Sequence, residues 1–213
     1  MLYDYSGFPD NTYRVRYGSP GAPALAERAA SLLRAAGIEA ALDTARGFDH
    51  GTFVPMFAMY PDADMPVLQC SLRRGLDPAA HLAAGRALAP LRDEGVLIVG
   101  SGSSYHNLQT WGPEAFAPSQ AFDSWLQQVL VEAEPALRES TLTRWEEAPA
   151  ARYAHPREEH LLPLMVAAGA APGERGRCIF REERFFGVST VSSFCFGDTQ
   201  PVAPWQRLAA CEQ

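Results

Sequence analysis

The chain has 213 residues, 47% of them hydrophobic and 20% charged, proportions that are ordinary for a soluble globular protein with a substantial core, so disorder is not the default expectation. Eighteen basic and 25 acidic residues give a formal net charge of −7 without any dense Lys/Arg run, so no phosphate-tracking surface and no nucleic-acid partner is expected. No stretch reaches the roughly 18 continuous apolar residues that span a bilayer, and Met1-Leu2-Tyr3-Asp4-Tyr5-Ser6 has no basic or apolar leader; a cytoplasmic protein with no membrane partner is expected.

In chain order, Tyr17-Gly18-Ser19-Pro20-Gly21-Ala22-Pro23 reads as a loop that delivers the chain into a helix. Over residues 24–36, Leu25, Ala29, Leu32 and Leu33 recur at helical spacing, and Gly37 stops the helix. Residues 38–42 predict a short strand, 53–59 a short helix opened by the turn at His50, 66–72 a strand, and 77–92 a helix leading into a buried strand at Val96-Leu97-Ile98-Val99. Residues 119–131, 135–145 and 160–170 predict helices, the last interrupted early by Pro163. Residues 179–186 and 188–196 predict closing strands around Gly187. This alternation predicts a single layered α/β domain over 1–213, with a mostly parallel central sheet flanked by helices. Cys70, Cys178, Cys195 and Cys211 form no C-x-x-C pair, which predicts reduced thiols and no structural zinc.

His106 follows the Val96 strand and the punctuation Gly100-Ser101-Gly102, where α/β sheets place ligands, beyond the carboxyl ends of their strands. His160 opens a helix in Glu159-His160-Leu161-Leu162-Pro163-Leu164. Two neutral imidazoles on separate elements supply half of a coordination shell, or each satisfies a local hydrogen bond. His50 lies in Gly47-Phe48-Asp49-His50-Gly51-Thr52, where Asp49 either orients a proton-transfer imidazole or caps a helix beside an exposed one. His81 reads as a surface or packing residue, His155 as a loop residue, and Asp62 and Asp64 as solvating a turn. Gly100-Ser101-Gly102 fails as a dinucleotide loop because G-x-G-x-x-G breaks at Tyr105, and no G-x-S-x-G elbow supports a serine hydrolase.

Taken in order, the blocks 47–52, Met59-Tyr60-Pro61-Asp62-Ala63-Asp64-Met65-Pro66-Val67, 91–102, His106-Asn107-Leu108 and 159–164 resemble those of the class III extradiol ring-cleaving dioxygenases, DOPA 4,5-dioxygenase type. The similarity runs from about Gly7 to Phe196. The resemblance implies an enzyme that opens a catechol-type ring with O2 at a non-haem metal, Fe(II) first and Zn(II) second. By position it implies His106 and His160 as metal ligands and His50 as the acid/base. Phe53, Tyr105 and Trp111 are aromatic residues that such a site can draw on for its ring pocket.

Members of that family open with His-Gly-Ser-Pro and Ala-His-Trp blocks, each supplying a ligand histidine, and this chain has neither. The resemblance therefore implies an amino-terminally shortened domain that lacks two core strands and holds Fe(II) weakly. By itself such a chain is expected to aggregate or oligomerise and to show no catechol-dependent oxygen uptake. Two rivals accompany the dioxygenase reading: a catalytically inactive remnant, and a metal-dependent hydrolase or small-molecule binding protein on the same scaffold.

Overall fold

Proline and glycine punctuation sets most of the helix ends in the computed structural model, which describes Met1–Gly197; Cys211 lies outside the described residues. The first helix, α1 (Pro23–Ala35), starts on a proline and closes through Gly37, whose φ of +75° lets Ile38 N donate to Leu33 O and Gly37 N to Arg34 O, each at 2.9 Å. Next come α2 (His50–Met59), α3 (Pro78–Leu88) and α4 (Pro90–Asp93). Asp77 caps α3 by accepting from Ala79 N and Ala80 N at 3.2 Å. The single helix expected over 77–92 is divided because Pro90 has no N–H to continue the ladder. After these come α5 (Phe116–Gln127), running into a π turn at Gln128–Glu132, then α6 (Pro135–Thr143), α7 (Ala151–Ala154) and α8 (Leu162–Gly169).

The largest apolar cluster gathers α5, α6, α8 and the turns between them, with Phe122, Leu126, Leu142, Trp145, Leu162 and Met165 essentially sealed from solvent. Helices α3 and α8 cross at reciprocal glycines: a Cβ on Gly85 would collide with Val166 O, and one on Gly169 with Leu82 O. A second cluster joins Tyr17, Phe53 and Met56 to the half-buried Tyr3 and Tyr5, and a third packs α1 on Leu88, Leu91, Val96 and Ile98.

The mostly parallel central sheet expected from the sequence is not formed among the described residues. Their sheet is a two-stranded antiparallel hairpin, β1 (Arg177–Phe185) and β2 (Ser189–Cys195), joined through left-handed Phe186 and Gly187. The hairpin docks on α5, where buried Asp123 accepts from Arg181 Nε at 2.8 Å and Ser192 Oγ at 2.5 Å, and Ser119 Oγ accepts from Thr190 N at 2.9 Å. The segments expected as strands at 38–42, 66–72 and 96–99 carry no ladder; a lone parallel bridge pairs Val67 with Gly21. The apolar pattern at 96–99 was informative about burial alone. Val96 and Ile98 pack inward while Leu97 and Val99 remain 67% and 45% exposed, and a strand needs a hydrogen-bonding neighbour as well as a buried face. No described helix is long and apolar enough to cross a membrane.

Candidate active site

The turn before α8, the first residues of that helix and the segment after Val99 are joined backbone to backbone. A Cβ on Gly100 would stand 2.5 Å from Pro163 O, and one on Gly102 would collide with His160 O. The two glycines thus permit a close approach in which Ser103 N donates to His160 O at 3.0 Å. Further along, His106 N donates to Ala154 O at 2.9 Å and Asn107 Nδ2 to Tyr153 O at 2.7 Å. Pinned on both sides, the rings of His106 and His160 stack with centroids 3.4 Å apart and planes 14° from parallel.

His50 opens α2, and its ring centroid is 6.4 Å from that of His160. The orienting carboxylate expected from Asp49 comes instead from Asp4, 46 residues upstream. Asp4 Oδ1 accepts from His50 Nδ1 at 2.7 Å and from His50 N at 3.1 Å. Asp49 holds the N-cap position of α2 without capping it, because its carboxylate is taken by Arg46 Nη2 at 3.0 Å and Gln69 Nε2 at 2.7 Å. Gln69 Oε1 in turn accepts from Asp49 N and Thr52 Oγ1, so the 66–72 segment clamps the start of the helix. Burial raises the Asp4 carboxyl, yet the bonds from His50 outweigh it and hold the group below its ordinary value.

Electrostatics separate the histidines. Burial, reinforced by neighbouring His106 and opposed by Glu159, pushes His160 down to about 4; burial also lowers His106, with Glu159 again opposing. His155, expected as a loop residue, is fully buried against Phe122 and Trp145 and pushed down to about 4 by that burial, against the opposing hydrogen bond to Ser104 O. Since Ser104 O can only accept, the proton sits on His155 Nε2 at 3.2 Å, leaving Nδ1 buried without a hydrogen-bond partner. His81 is likewise internal: its Nδ1 donates to Asp77 O at 2.7 Å and its Nε2 accepts from Arg73 N at 3.1 Å, which makes it a satisfied structural residue.

One ligand atom from each of His106, Glu159 and His160 lies within 4.8 Å of the others. Glu159 carried no signal in the sequence beyond its place next to His160. Its Oε2 is buried and unpartnered by hydrogen bonds, although Arg157 Nε stands 3.3 Å away, within ion-pair distance but out of hydrogen-bond alignment; the geometry leaves a lone pair to spare. Two neutral imidazoles and a carboxylate are the donor set that suits Fe(II) or Zn(II), so the residues present fit a first-row ion. With the rings nearly parallel, their in-plane lone pairs run side by side, and convergence on one ion requires a χ rotation of one imidazole. Of the expected pocket aromatics, Phe53 is buried among Tyr3 and Tyr5, Tyr105 is buried and bonded to Thr110 O, and Trp111 is 40% exposed.

A family model described as the catalytic LigB subunit of aromatic ring-opening dioxygenase matches residues 1–193. Over 204 residues the chain is 41% identical to a 4,5-DOPA dioxygenase extradiol of Beta vulgaris, covering 93% of this chain and 74% of that protein. It is 37% identical over 178 residues to a protein of the same name from Escherichia coli strain K12, covering 81% of this chain and 65% of that protein. The crystal structure of an uncharacterized Escherichia coli K12 protein superposes with a TM-score of 0.74 at 34% identity, over 85% of this chain and 75% of that one.

Proposed function

The chain belongs to the LigB family of aromatic ring-opening dioxygenases, and from that premise we propose that it is an extradiol dioxygenase that opens a catechol-type ring with O2 at a metal held by His106 and His160, with His50 as its acid/base. The observation that carries this reading is the meeting of three sequence blocks in one place: the His160 ring lies 3.4 Å from His106 and 6.4 Å from His50. Relatives named as 4,5-DOPA dioxygenases support a small aromatic diol as the substrate class. A cytoplasmic location fits the free thiols of Cys70 and Cys178.

Depressed basicity keeps His106 and His160 neutral near pH 7, which is the form that ligates, and Glu159 brings a third donor and a negative charge. Fe(II), with Zn(II) as the second choice, would supply Lewis acidity toward both diol oxygens, and iron alone of the two adds the redox capacity that O2 requires. His50 lies outside the stacked pair and is 40% exposed, so it can exchange protons with solvent while facing a ring bound beside His160. Its task is to take a proton from the substrate hydroxyl and return one as the ring opens.

The test is oxygen consumption with a catechol, measured on this chain and on the product of the longest open reading frame that contains it, each loaded anaerobically with Fe(II). Stoichiometric uptake with a ring-opened product, absent in metal-free protein, is expected of the longer product, and no catechol-dependent uptake of this chain by itself. Ester or amide hydrolysis without oxygen uptake would overturn the reading.

A further inference from the structure

The strongest unassigned feature near the site is the carboxylate that grips His50. Asp4 lies in the run Tyr3-Asp4-Tyr5, in a segment held against the start of α2 by several independent contacts. Leu2 N donates to Phe48 O at 2.7 Å, Gly47 leaves no room for a Cβ against the Met1 backbone, and the Tyr3 and Tyr5 hydroxyls donate to Val15 O and Thr12 O at 2.7 and 2.8 Å. The Tyr5 ring then meets the His50 imidazole edge to face, with centroids 5.9 Å apart. The segment is therefore anchored independently of the bond it makes to His50.

Asp4 Oδ1 does two things at once. It accepts the backbone N–H of His50, one of the donors that the first turn of a helix leaves without an intrahelical partner, and it accepts Nδ1–H of the same residue. Because an ionised carboxylate has no proton to give, a neutral His50 bonded to it must carry its proton on Nδ1. Nε2 is then left as a bare lone pair, the state a general base needs. The shared oxygen also fixes the ring against the backbone of its own residue, which restricts χ1.

We propose that Asp4 is the positioning residue of the reaction: by tying Nδ1–H of His50 to a carboxylate fixed on the helix start, it commits the imidazole to the tautomer whose Nε2 accepts the substrate proton. The inference rests on the reading of His50 as the proton-transfer group, and Asp4 acts only through it. Asp49 cannot substitute, since Arg46 and Gln69 occupy its carboxylate.

The experiment pairs a spectroscopic readout with a mutant cycle. Imidazole 15N shifts of the labelled, metal-free protein report the tautomer of His50 directly. Nδ1–H is expected in the wild type, and a shift toward Nε2–H in Asp4→Ala. Asp4→Asn provides the conservative control. The His50 backbone N–H holds the amide oxygen in place of Oδ1, so this variant should keep the Nδ1–H tautomer and most of the turnover. In the iron-loaded product of the longest open reading frame, Asp4→Ala should lower kcat on the order of 10–100-fold, the scale of losing a group that orients a functional histidine, with KM little changed. In a His50→Gln background the same substitution should have no further effect. An Nε2–H tautomer in the wild type, an unchanged tautomer in Asp4→Ala, or an equal loss in the His50→Gln background would overturn the inference. If the tautomer behaves as expected but His50→Gln itself leaves turnover intact, the role of His50 in proton transfer is what fails, and the Asp4 contact is reduced to a structural clamp.

Discussion

The two walls of the candidate site are built on opposite principles. On one side, His106 and His160 stand on the main core, locked by backbone bonds from Ser103 N to His160 O and from His106 N to Ala154 O, with buried His155 behind them. On the other, His50 belongs to the small aromatic cluster of Tyr3, Tyr5 and Phe53, half open to water and held through a single carboxylate. Burial depresses the basicity of the first wall, which favours neutral lone pairs, whereas the second wall leaves its imidazole in contact with solvent and a charged partner. The histidines proposed as metal ligands and the one proposed as proton carrier are thus separated by how each is packed.

The largest effect is expected at the first wall. His160→Ala should abolish turnover and weaken Fe(II) binding by more than the ~10–100-fold that removing a mere outer partner costs, as read by calorimetric titration of the metal. Retained stoichiometric binding would move His160 out of the ligand role. At the second wall, in the product of the longest open reading frame, His50→Gln should leave metal content near that of the wild type while reducing catechol turnover on the order of 10²–10⁴-fold. Parallel loss of metal in that variant would erase the distinction between the walls.

Acid should undo the buried wall in particular. The imidazole of His155 lies at 6.5 when unfolded and near 4 when folded, so between those values the unfolded state binds the extra proton and stability falls as the pH drops. A shift of that size corresponds to about 3 kcal/mol, fully expressed below pH 4 and absent above 6.5. Urea unfolding of wild type and His155→Gln across this range should show a flatter profile in the variant; parallel profiles would remove His155 as the cause. The smallest effect tests how the first wall is held. Gly102→Ala forces a Cβ onto His160 O, so a destabilisation of about 1–3 kcal/mol with weakened metal binding is expected. At Gly51, next to His50, a Cβ would meet side chains alone, Asp49 Oδ1 at an ordinary 3.4 Å and Ser101 Oγ at 3.9 Å, so Gly51→Ala should be much milder.

Local signals in the sequence suffice where the physics is local. The spacing of Leu25, Ala29, Leu32 and Leu33 with Gly37 behind it predicts α1 to within a residue at each end, because helix hydrogen bonds and the left-handed stop involve near neighbours alone. The Val96 segment shows where that reasoning stops: four apolar residues announce burial, but pairing depends on which segment lies alongside. Asp4 and Glu159 show the same limit at the site. One lies 46 residues from the histidine it grips, and the other sits beside a histidine in a run of charges that looks like a solvated turn.

The family, through ordered blocks of residues, and the chemical types at the centre are legible in the chain itself: imidazoles in the blocks 47–52, 106–108 and 159–164, and glycines where backbones must touch. Which carboxylate serves which imidazole, that Asp49 faces Arg46 and Gln69, that His155 is internal, and that the extended segments carry no central sheet among the described residues all emerge from the folded chain. Side-chain type is written residue by residue, whereas a pairing, a burial or a depressed basicity belongs to two or more distant segments at once and exists only when the chain has brought them together.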